Sequence, residues 1–184
     1  TFGYDRPIYS LTHDVMFHGP AAEFLPRLGI IHANPDNAAK ALDAGGVVLV
    51  FPGGQWDVYR PTSSENVIDF GGHTGYVRTA VDAGVPIVPA VSIGGQENQL
   101  YLSRGTWLLR ALGLTKLSHK LTRTNILPIT FGFPFGLSVV VPVNMPLPTK
   151  IVTRVLEPID IGAQFGADPD VDQIDAHVRQ AMQK

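Results

Sequence analysis

The strongest constraint on the fold is a continuous apolar run, Val47 to Phe51, that ends directly at Pro52-Gly53-Gly54. An unbroken run of β-branched and aliphatic residues is typical of a strand buried on both faces, as in a parallel sheet. The spacing before it predicts a helix over Asn37–Ala44, with Asn34 or Asp36 as the capping residue. We therefore predict that Val47–Phe51 is a central, fully buried parallel strand.

A helix and a second apolar run follow this strand. Gly75–Ala83 has helical spacing, and Val85–Ser92 is apolar but contains two prolines, which require an edge strand, the first residue of a strand or a bulge. Strand, helix and strand in succession indicate a βαβ unit. Further along, Ile151–Leu156 predicts a late strand and Val171–Met182 a terminal helix. The predicted fold class is α/β, with a mostly parallel central sheet and helices on both faces.

Composition excludes several classes of protein. The 184 residues fit one domain and are too apolar for disorder. The chain has no Cys, which excludes disulfides, cysteine zinc sites and thiol catalysis. The six His residues show no helical i, i+4 pair, so no metal site is predicted. The sequence also lacks a serine-hydrolase elbow, G-x-G-x-x-G, a P-loop and H-E-x-x-H.

Charge is unevenly distributed along the chain, although the formal net charge is only −2. No Asp or Glu occurs from Asn98 through Leu156, and this stretch carries seven cations. They are Arg104, Arg110, Lys116, Lys120, Arg123, Lys150 and Arg154. Such a stretch predicts a surface that meets anions, with an ordinary solvated basic face as the alternative. The overall balance argues against a nucleic-acid partner.

Two segments of this stretch bear on membranes. Leucines and cations over 114–123 would form an apolar and a cationic face of one helix, which fits either a membrane surface or an ordinary surface helix. The residues over 124–149 are uncharged, but their prolines and glycines favour short strands and turns over a membrane-spanning helix.

The strongest local signal for a ligand site is the turn that follows the first predicted strand. Glycines at the carboxyl end of a strand let the backbone turn sharply and approach a ligand, and open α/β sheets bind ligands at that edge. Backbone N–H groups of Gly53 and Gly54, with Arg60 just beyond, could hold a phosphate. A simple tight turn is the alternative.

The order of these segments resembles a known family. Phe51-Pro52-Gly53-Gly54 followed by Val85-Pro86-Ile87-Val88-Pro89 is similar to the third and fourth sequence blocks of the glycerolipid (lysophospholipid) acyltransferase superfamily. The Gly-Gly form, Asp57 and the segment Ser92–Asn98 resemble the diacylglycerol acyltransferase type 2 branch. The resemblance covers nearly the whole chain and implies a glycerol-3-phosphate acyltransferase-like fold.

The resemblance also implies an activity. It is direct transfer of a fatty acyl group from acyl-CoA or acyl-carrier protein to a hydroxyl of a glycerolipid or related lipid. No cofactor is expected beyond acyl-CoA as co-substrate, and the lipid acceptor implies peripheral attachment at the cytoplasmic face of a membrane. The implied substrate-binding residues are Phe51, Pro52, Gly53, Gly54, Asp57, Arg60, Glu97 and Asn98.

The family's catalytic His-x-x-x-x-Asp block has no match here. His13 is followed at once by Asp14, and His18 reaches Glu23, not Asp, at the required spacing. We therefore expect the catalytic His and Asp on residues preceding Thr1, so that residues 1–184 are one N-terminally truncated acyltransferase domain that is inactive alone.

A second departure concerns the acceptor. Gly53 stands where the phospholipid branch of the family has a phosphate-binding Glu. This favours a neutral or unusual glycolipid acceptor, or phosphate binding through Arg60 or Arg78. Two other functions stay open at this point: a non-catalytic lipid- or acyl-binding module of the same fold, and a nucleotide-sugar-using α/β transferase whose Gly53-Gly54 turn holds a diphosphate.

Overall fold

The computed structural model describes residues 5–18, 22–95, 97, 99–115, 125–139, 143–166 and 168–184. The described strands are β1 Ile8–Thr12, β2 Ile30–His32, β3 Val47–Leu49, β4 Ala90–Ile93, β5 Leu100–Ser103, β6 Ile129–Gly132, β7 Gly136–Val139 and β8 Val152–Val155. The described α-helices are α1 Pro35–Asp43, α2 Gly54–Val58, α3 Gly75–Asp82, α4 Thr106–Ala111, α5 Ile161–Phe165 and α6 Val171–Gln183.

The chain forms two compact units. The first contains Thr1–Pro52, His73–Ile87 and Ile159–Ala176. The second contains Gly53–Gly72, Val88–Pro158 and His177–Lys184.

The first unit is built on a parallel three-stranded sheet of order β2-β1-β3, with α1 packed against β3 and α3. The predicted helix after residue 34 is confirmed, and Asn34 is its cap: the Asn34 side chain accepts a hydrogen bond of 2.7 Å from the Asn37 N–H. Pro35 occupies the first turn, where its missing N–H costs nothing. The α/β class and the parallel sheet are thus confirmed.

The position of β3 differs from the prediction. The strand contains Val47–Leu49 and not Val47–Phe51, and it lies at the edge of the sheet rather than its centre. Both Leu49 and Phe51 are exposed. The central place is taken by β1, whose sequence carries a Ser in the middle and gives no strong strand signal. The prediction of a fully buried central strand is therefore wrong.

Helices α3 and α6 each contribute a fully buried apolar side chain to the first unit. Val77 on α3 and Ile174 on α6 are fully buried, and both predicted helices are confirmed. The Tyr76 hydroxyl donates a hydrogen bond of 2.9 Å to the Asp175 carboxylate.

The second unit has two antiparallel sheets. β4 pairs with β8, the predicted late strand, and a second sheet has the order β5-β6-β7. The predicted strand Val85–Ser92 begins later, at Ala90, because the two prolines before it cannot donate to a ladder. β4 hydrogen-bonds to β8 and not to β3, so the predicted βαβ pairing is absent among the described strands.

The described part of the uncharged segment forms strands and turns, as predicted, and contains β6 and β7. Most of the predicted helix over 114–123 lies outside the described residues. Within the described ranges, no helix combines the length and apolar character needed to cross a bilayer.

Candidate functional site

The Gly53-Gly54 turn leads directly into the short helix α2. Gly54 has a left-handed backbone, with φ +47°, and Gly53 is buried. A Cβ atom at position 53 would overlap the Cβ of Asp57. The close approach of Asp57 to the turn therefore requires glycine at position 53, and a larger residue there would displace the start of α2.

Arg60 is held in the interior just after α2. Its exposed fraction is 6%. One terminal nitrogen pairs with the Asp57 carboxylate, and the other donates a hydrogen bond of 3.0 Å to the Glu65 backbone carbonyl. Burial lowers the pKa of Arg60, and the nearby Arg104 lowers it further, whereas Asp69 raises it. Arg60 thus ties the residues from 57 to 65 together.

Trp56 connects its own segment of the second unit with two others that are distant in sequence, at Asp69 and Arg104. Its Nε1 donates a hydrogen bond of 2.8 Å to Asp69. The Arg104 guanidinium lies over the indole, 3.9 Å from the ring centroid, and its Nε donates a hydrogen bond of 2.9 Å to the Trp56 carbonyl. This geometry is that of a cation–π contact reinforced by a hydrogen bond. We call Trp56, Asp57, Arg60, Asp69 and Arg104 the Trp56 cluster.

A glycine brings Asp69 into position. The Gly71 N–H donates a hydrogen bond of 2.9 Å to the Asp69 carboxylate, as in an Asx turn. Gly71 has φ +64°, and a Cβ atom there would lie 2.8 Å from the Trp56 ring. The Asp69–Gly71 turn and the Trp56 indole are therefore packed against each other with no room for a side chain.

Charge within the cluster is balanced. The Trp56 hydrogen bond is the largest cause of a lowered Asp69 pKa, and the Gly71 N–H, Arg104 and Arg60 act in the same direction against desolvation. Burial lowers the pKa of Arg104, and Asp69 opposes that shift. Two guanidinium groups thus meet two carboxylates. The cluster offers aromatic surface and hydrogen-bond donors, without a surplus of positive charge for a phosphate dianion.

A tyrosine pair connects the cluster's loop to β5. The rings of Tyr59 and Tyr101 lie 6.3 Å apart, centroid to centroid. The Tyr101 backbone N–H donates a hydrogen bond of 3.0 Å to the Thr62 hydroxyl. Burial raises the pKa of Tyr101, and Tyr59 adds to the rise. The loop after α2 is therefore fixed against the sheet.

Among the residues predicted for the site, three meet in the second unit: Gly53, Asp57 and Arg60. Gly54 begins the helix that carries Asp57, and it is exposed. Phe51 and Pro52 belong to the first unit, and Glu97 is exposed in the loop between β4 and β5. Asn98 lies outside the described residues.

Sequence reasoning did not assign Trp56, Asp69 or Arg104 to the site. The Asp69-Phe70-Gly71 order could have indicated an Asx turn, because Asp often accepts from the backbone N–H two residues on. Arg104 gave no signal beyond its place in the acid-free stretch.

The first unit contains a separate polar pair. His32 Nδ1 lies 2.8 Å from the Asp14 carboxylate, and the Phe17 ring stacks on the imidazole at 3.7 Å. His32 and Phe17 line a cavity of about 290 Å³ that Lys40 also lines. A carboxylate at Nδ1 orients an imidazole and leaves Nε2 for another partner. Within the part of the chain that the structure describes, no group of three His, Asp or Glu could hold a metal ion.

Comparison with known proteins gives two matches. Residues 3–93 match the family described as Acyltransferase. A Gallus gallus protein named "DGAT1/2-independent enzyme synthesizing storage lipids" is 26% identical over 160 residues, which cover 87% of this chain and 40% of the relative. The chain therefore spans less than half the length of that relative. No solved structure matches the chain significantly.

Proposed function

Because the chain belongs to the glycerolipid acyltransferase superfamily, we propose that it forms part of an enzyme that moves a fatty acyl group from acyl-CoA or acyl-carrier protein to a lipid hydroxyl. The family match and the lipid-synthesising relative support acyl transfer in lipid metabolism. The proposal assigns the enzyme to glycerolipid or phospholipid biosynthesis, with acyl-CoA as co-substrate and no further cofactor.

The proposed reaction is a single displacement. The acceptor hydroxyl oxygen attacks the thioester carbonyl carbon, so a C–O bond forms and the C–S bond breaks after collapse of the oxyanion. The hydroxyl proton passes to a general base, and the departing thiolate takes up a proton. No covalent enzyme intermediate is required, which agrees with a chain that lacks Cys and a serine elbow.

The general base is proposed to lie outside these 184 residues. The family's His-x-x-x-x-Asp block is not matched anywhere in the sequence. We propose that residues preceding Thr1 supply it, and that the present chain contributes substrate binding. The Asp14–His32 pair is then a structural feature of the first unit, although its geometry resembles that of an oriented base.

The acceptor is proposed to be neutral at its headgroup, such as a mono- or diacylglycerol or a glycolipid. The observation that carries this step is the engagement of Arg60, which is buried and paired with Asp57 and the Glu65 carbonyl. Arg60 is therefore not placed to receive a phosphate monoester. Arg104, stacked on Trp56, makes its hydrogen bond among the described residues through Nε, which leaves its terminal nitrogens for a hydroxyl or carbonyl oxygen.

The proposed location is the cytoplasmic face of a membrane, with peripheral attachment. Two observations support it: a lipid acceptor is implied by the family, and the acid-free stretch 98–156 carries seven cations. Anionic lipid attracts such residues by about 1 kcal/mol for each cation near the surface.

Thiol release tests the proposal directly. The longer protein, including the residues encoded before Thr1, is incubated with acyl-CoA and an acceptor panel, beside the 184-residue chain. A thiol-reactive dye reads the released thiol; the 184-residue chain has no Cys, and the background of the longer protein is measured without acyl-CoA. We expect release by the longer protein alone, and faster release with diacylglycerol or glycolipid than with lysophosphatidic acid. A preference for lysophosphatidic acid would contradict the neutral acceptor.

Two further arms separate the alternatives. His32→Gln in the longer protein should leave thiol release within about twofold; a large loss with a changed pH profile would make His32 the base. Lipid binding without thiol release in the longer protein would indicate a non-catalytic module. Thermal stabilisation by a nucleotide sugar, and none by CoA derivatives, would indicate a nucleotide-using transferase.

A further inference from the structure

The β5-β6-β7 sheet of the second unit has its polar face inside and its apolar face outside. Thr130 on the inner face is fully buried, at 0% exposure. Its hydroxyl accepts a hydrogen bond of 2.8 Å from the buried Gln99 side chain and lies 2.7 Å from the Ser138 hydroxyl. Asn144 extends this network, because its amide donates hydrogen bonds of 2.9 Å to the Gly136 carbonyl and 3.3 Å to Ser138. These bonds fix which face of the sheet points inward.

Successive side chains along a strand point to opposite faces of the sheet, so the residues next to Thr130 and Ser138 in sequence must face outward. The register pairs Leu100 with Phe131 and Phe131 with Leu137, which places these three side chains in one row across all three strands. Phe131 and Leu137 are 51% and 62% exposed, and Leu100 and Val139 are also exposed. We call Leu100, Phe131, Leu137 and Val139 the apolar sheet face.

The neighbouring loops extend this surface. Phe133, Met145 and Leu147 are exposed, and with Phe131 they line a groove of about 510 Å³. Large contiguous apolar surfaces that are exposed mark binding sites for other molecules.

The charges of this part of the chain indicate which kind of molecule the surface binds. The three strands and the loops between them lie within the acid-free stretch, so none of these residues carries a carboxylate that would oppose an anionic surface. Three of its cations, Arg110, Lys150 and Arg154, are exposed in the structure. A segment that exposes apolar side chains and carries only positive charges is complementary to a bilayer with anionic headgroups. Such a bilayer has apolar tails beneath a negatively charged surface.

We propose that the apolar sheet face is the surface by which this protein docks on an anionic lipid bilayer. Phe131 and Leu137 enter the interfacial region, and the exposed cations of the same stretch contact the headgroups. The proposal rests on the proposed peripheral attachment and names the surface responsible. It places the second unit, which carries the Trp56 cluster, against the lipid.

Vesicle sedimentation tests this assignment with a matched pair of variants. The test variant carries Phe131→Ser and Leu137→Ser. The control carries Phe24→Ser and Leu28→Ser, which removes the same residue types from positions of the first unit that are 62% and 68% exposed. Vesicles of phosphatidylcholine alone and of phosphatidylcholine with phosphatidylglycerol serve as the probes, and thermal unfolding by circular dichroism checks that both variants are folded.

We expect the wild type and the control to bind the mixed vesicles more strongly than the neutral ones. The test variant should lose about tenfold or more of this binding, and added salt should weaken the wild type. Equal binding by the two variants would overturn the proposal. The proposal would also be overturned if the wild type were a dimer in analytical ultracentrifugation and the test variant a monomer with unchanged vesicle binding. A second copy of the chain would then occupy the apolar sheet face.

Different measurements would disprove the docking assignment and the acyl-transfer proposal. If the test variant loses vesicle binding while the longer wild-type protein releases no thiol from acyl-CoA, the docking surface stands and the acyl-transfer proposal fails. If thiol release toward a dispersed short-chain acceptor is normal in wild type and test variant and both bind vesicles equally, the docking assignment fails and the acyl-transfer proposal stands.

Discussion

The Trp56 cluster and the apolar sheet face belong to the same unit, and each is an exception to the usual placement of charged and apolar residues. The cluster brings two arginines and two aspartates into a partly buried site, whereas the sheet face leaves Leu and Phe in water. The usual rule places apolar groups inside and charges outside. The comparison teaches that the cluster must be stabilised by its own contacts, while the sheet face adds little to stability and is available for binding.

This comparison predicts that changes in the cluster alter folding stability and that changes on the sheet face alter binding alone.

Gly71→Ala should be the most damaging of these single substitutions. It combines a left-handed φ with a Cβ that overlaps the Trp56 ring, so we expect a loss of about 3 kcal/mol in the free energy of unfolding. Gly72→Ala is the matched control, because Gly72 has φ +78° but nothing within 4 Å of the added Cβ. It should lose about 1 kcal/mol, from the backbone alone. Urea denaturation measures both, and equal losses would mean that the Trp56 contact is unimportant.

Arg60→Met should come next, with a loss of about 2 kcal/mol. The substitution keeps the aliphatic volume but leaves the Asp57 carboxylate and the Glu65 carbonyl without the guanidinium. The loss stays below that of a fully buried ion pair, since Asp57 is partly exposed and water can solvate it. Arg78→Met removes an exposed arginine and should change stability by less than about 0.5 kcal/mol. Asp57→Asn combined with Arg60→Met should recover part of the loss.

Acid should weaken the cluster through Asp69. The pKa of Asp69 is lowered in the folded state, chiefly by the Trp56 hydrogen bond, so the unfolded chain takes up the proton first as the pH falls. The stabilisation is therefore present above the unfolded pKa of about 4 and is lost as the pH drops through the lower folded value. Asp69→Asn and Trp56→Phe should both flatten the fall in unfolding free energy between neutral pH and about pH 3. A slope identical to that of wild type would contradict the role of this hydrogen bond.

The sequence predicted those elements whose signals are local. Asn34 at a helix cap, the helical spacing from Gly75 and the terminal helix from Val171 each depend on residues within a few positions of one another. The edge position of β3 was not predicted, because it is decided by β1, which lies far earlier in the chain and has a mixed sequence.

The residues of the candidate site also divide into those joined by local contacts and those joined by long-range contacts. Gly53, Asp57 and Arg60 are close in sequence and were predicted together as substrate-binding residues, and the structure joins Asp57 and Arg60 in an ion pair. Trp56 meets Asp69 across 13 positions and Arg104 across 48, and no local pattern encodes such contacts. The inward polar face of the β5-β6-β7 sheet likewise depends on Gln99 meeting Thr130 across 31 positions. Local sequence brings Gly53, Asp57 and Arg60 together, whereas tertiary contacts bring Asp69 and Arg104 to Trp56.

The smallest effect on stability should come from the sheet face itself. Phe131→Ser with Leu137→Ser removes side chains that are about half or more exposed, so little area returns to water on unfolding, and we expect a change within about 0.5 kcal/mol. Replacing the inner-face Thr130 by Val should cost more, about 1 kcal/mol, since it leaves the buried Gln99 amide without its acceptor. Urea denaturation of the two variants compares the faces of one sheet directly. If the outer double substitution proves the more destabilising, the outer residues are covered in solution, and the sheet face belongs to the core of the protein rather than to its binding surface.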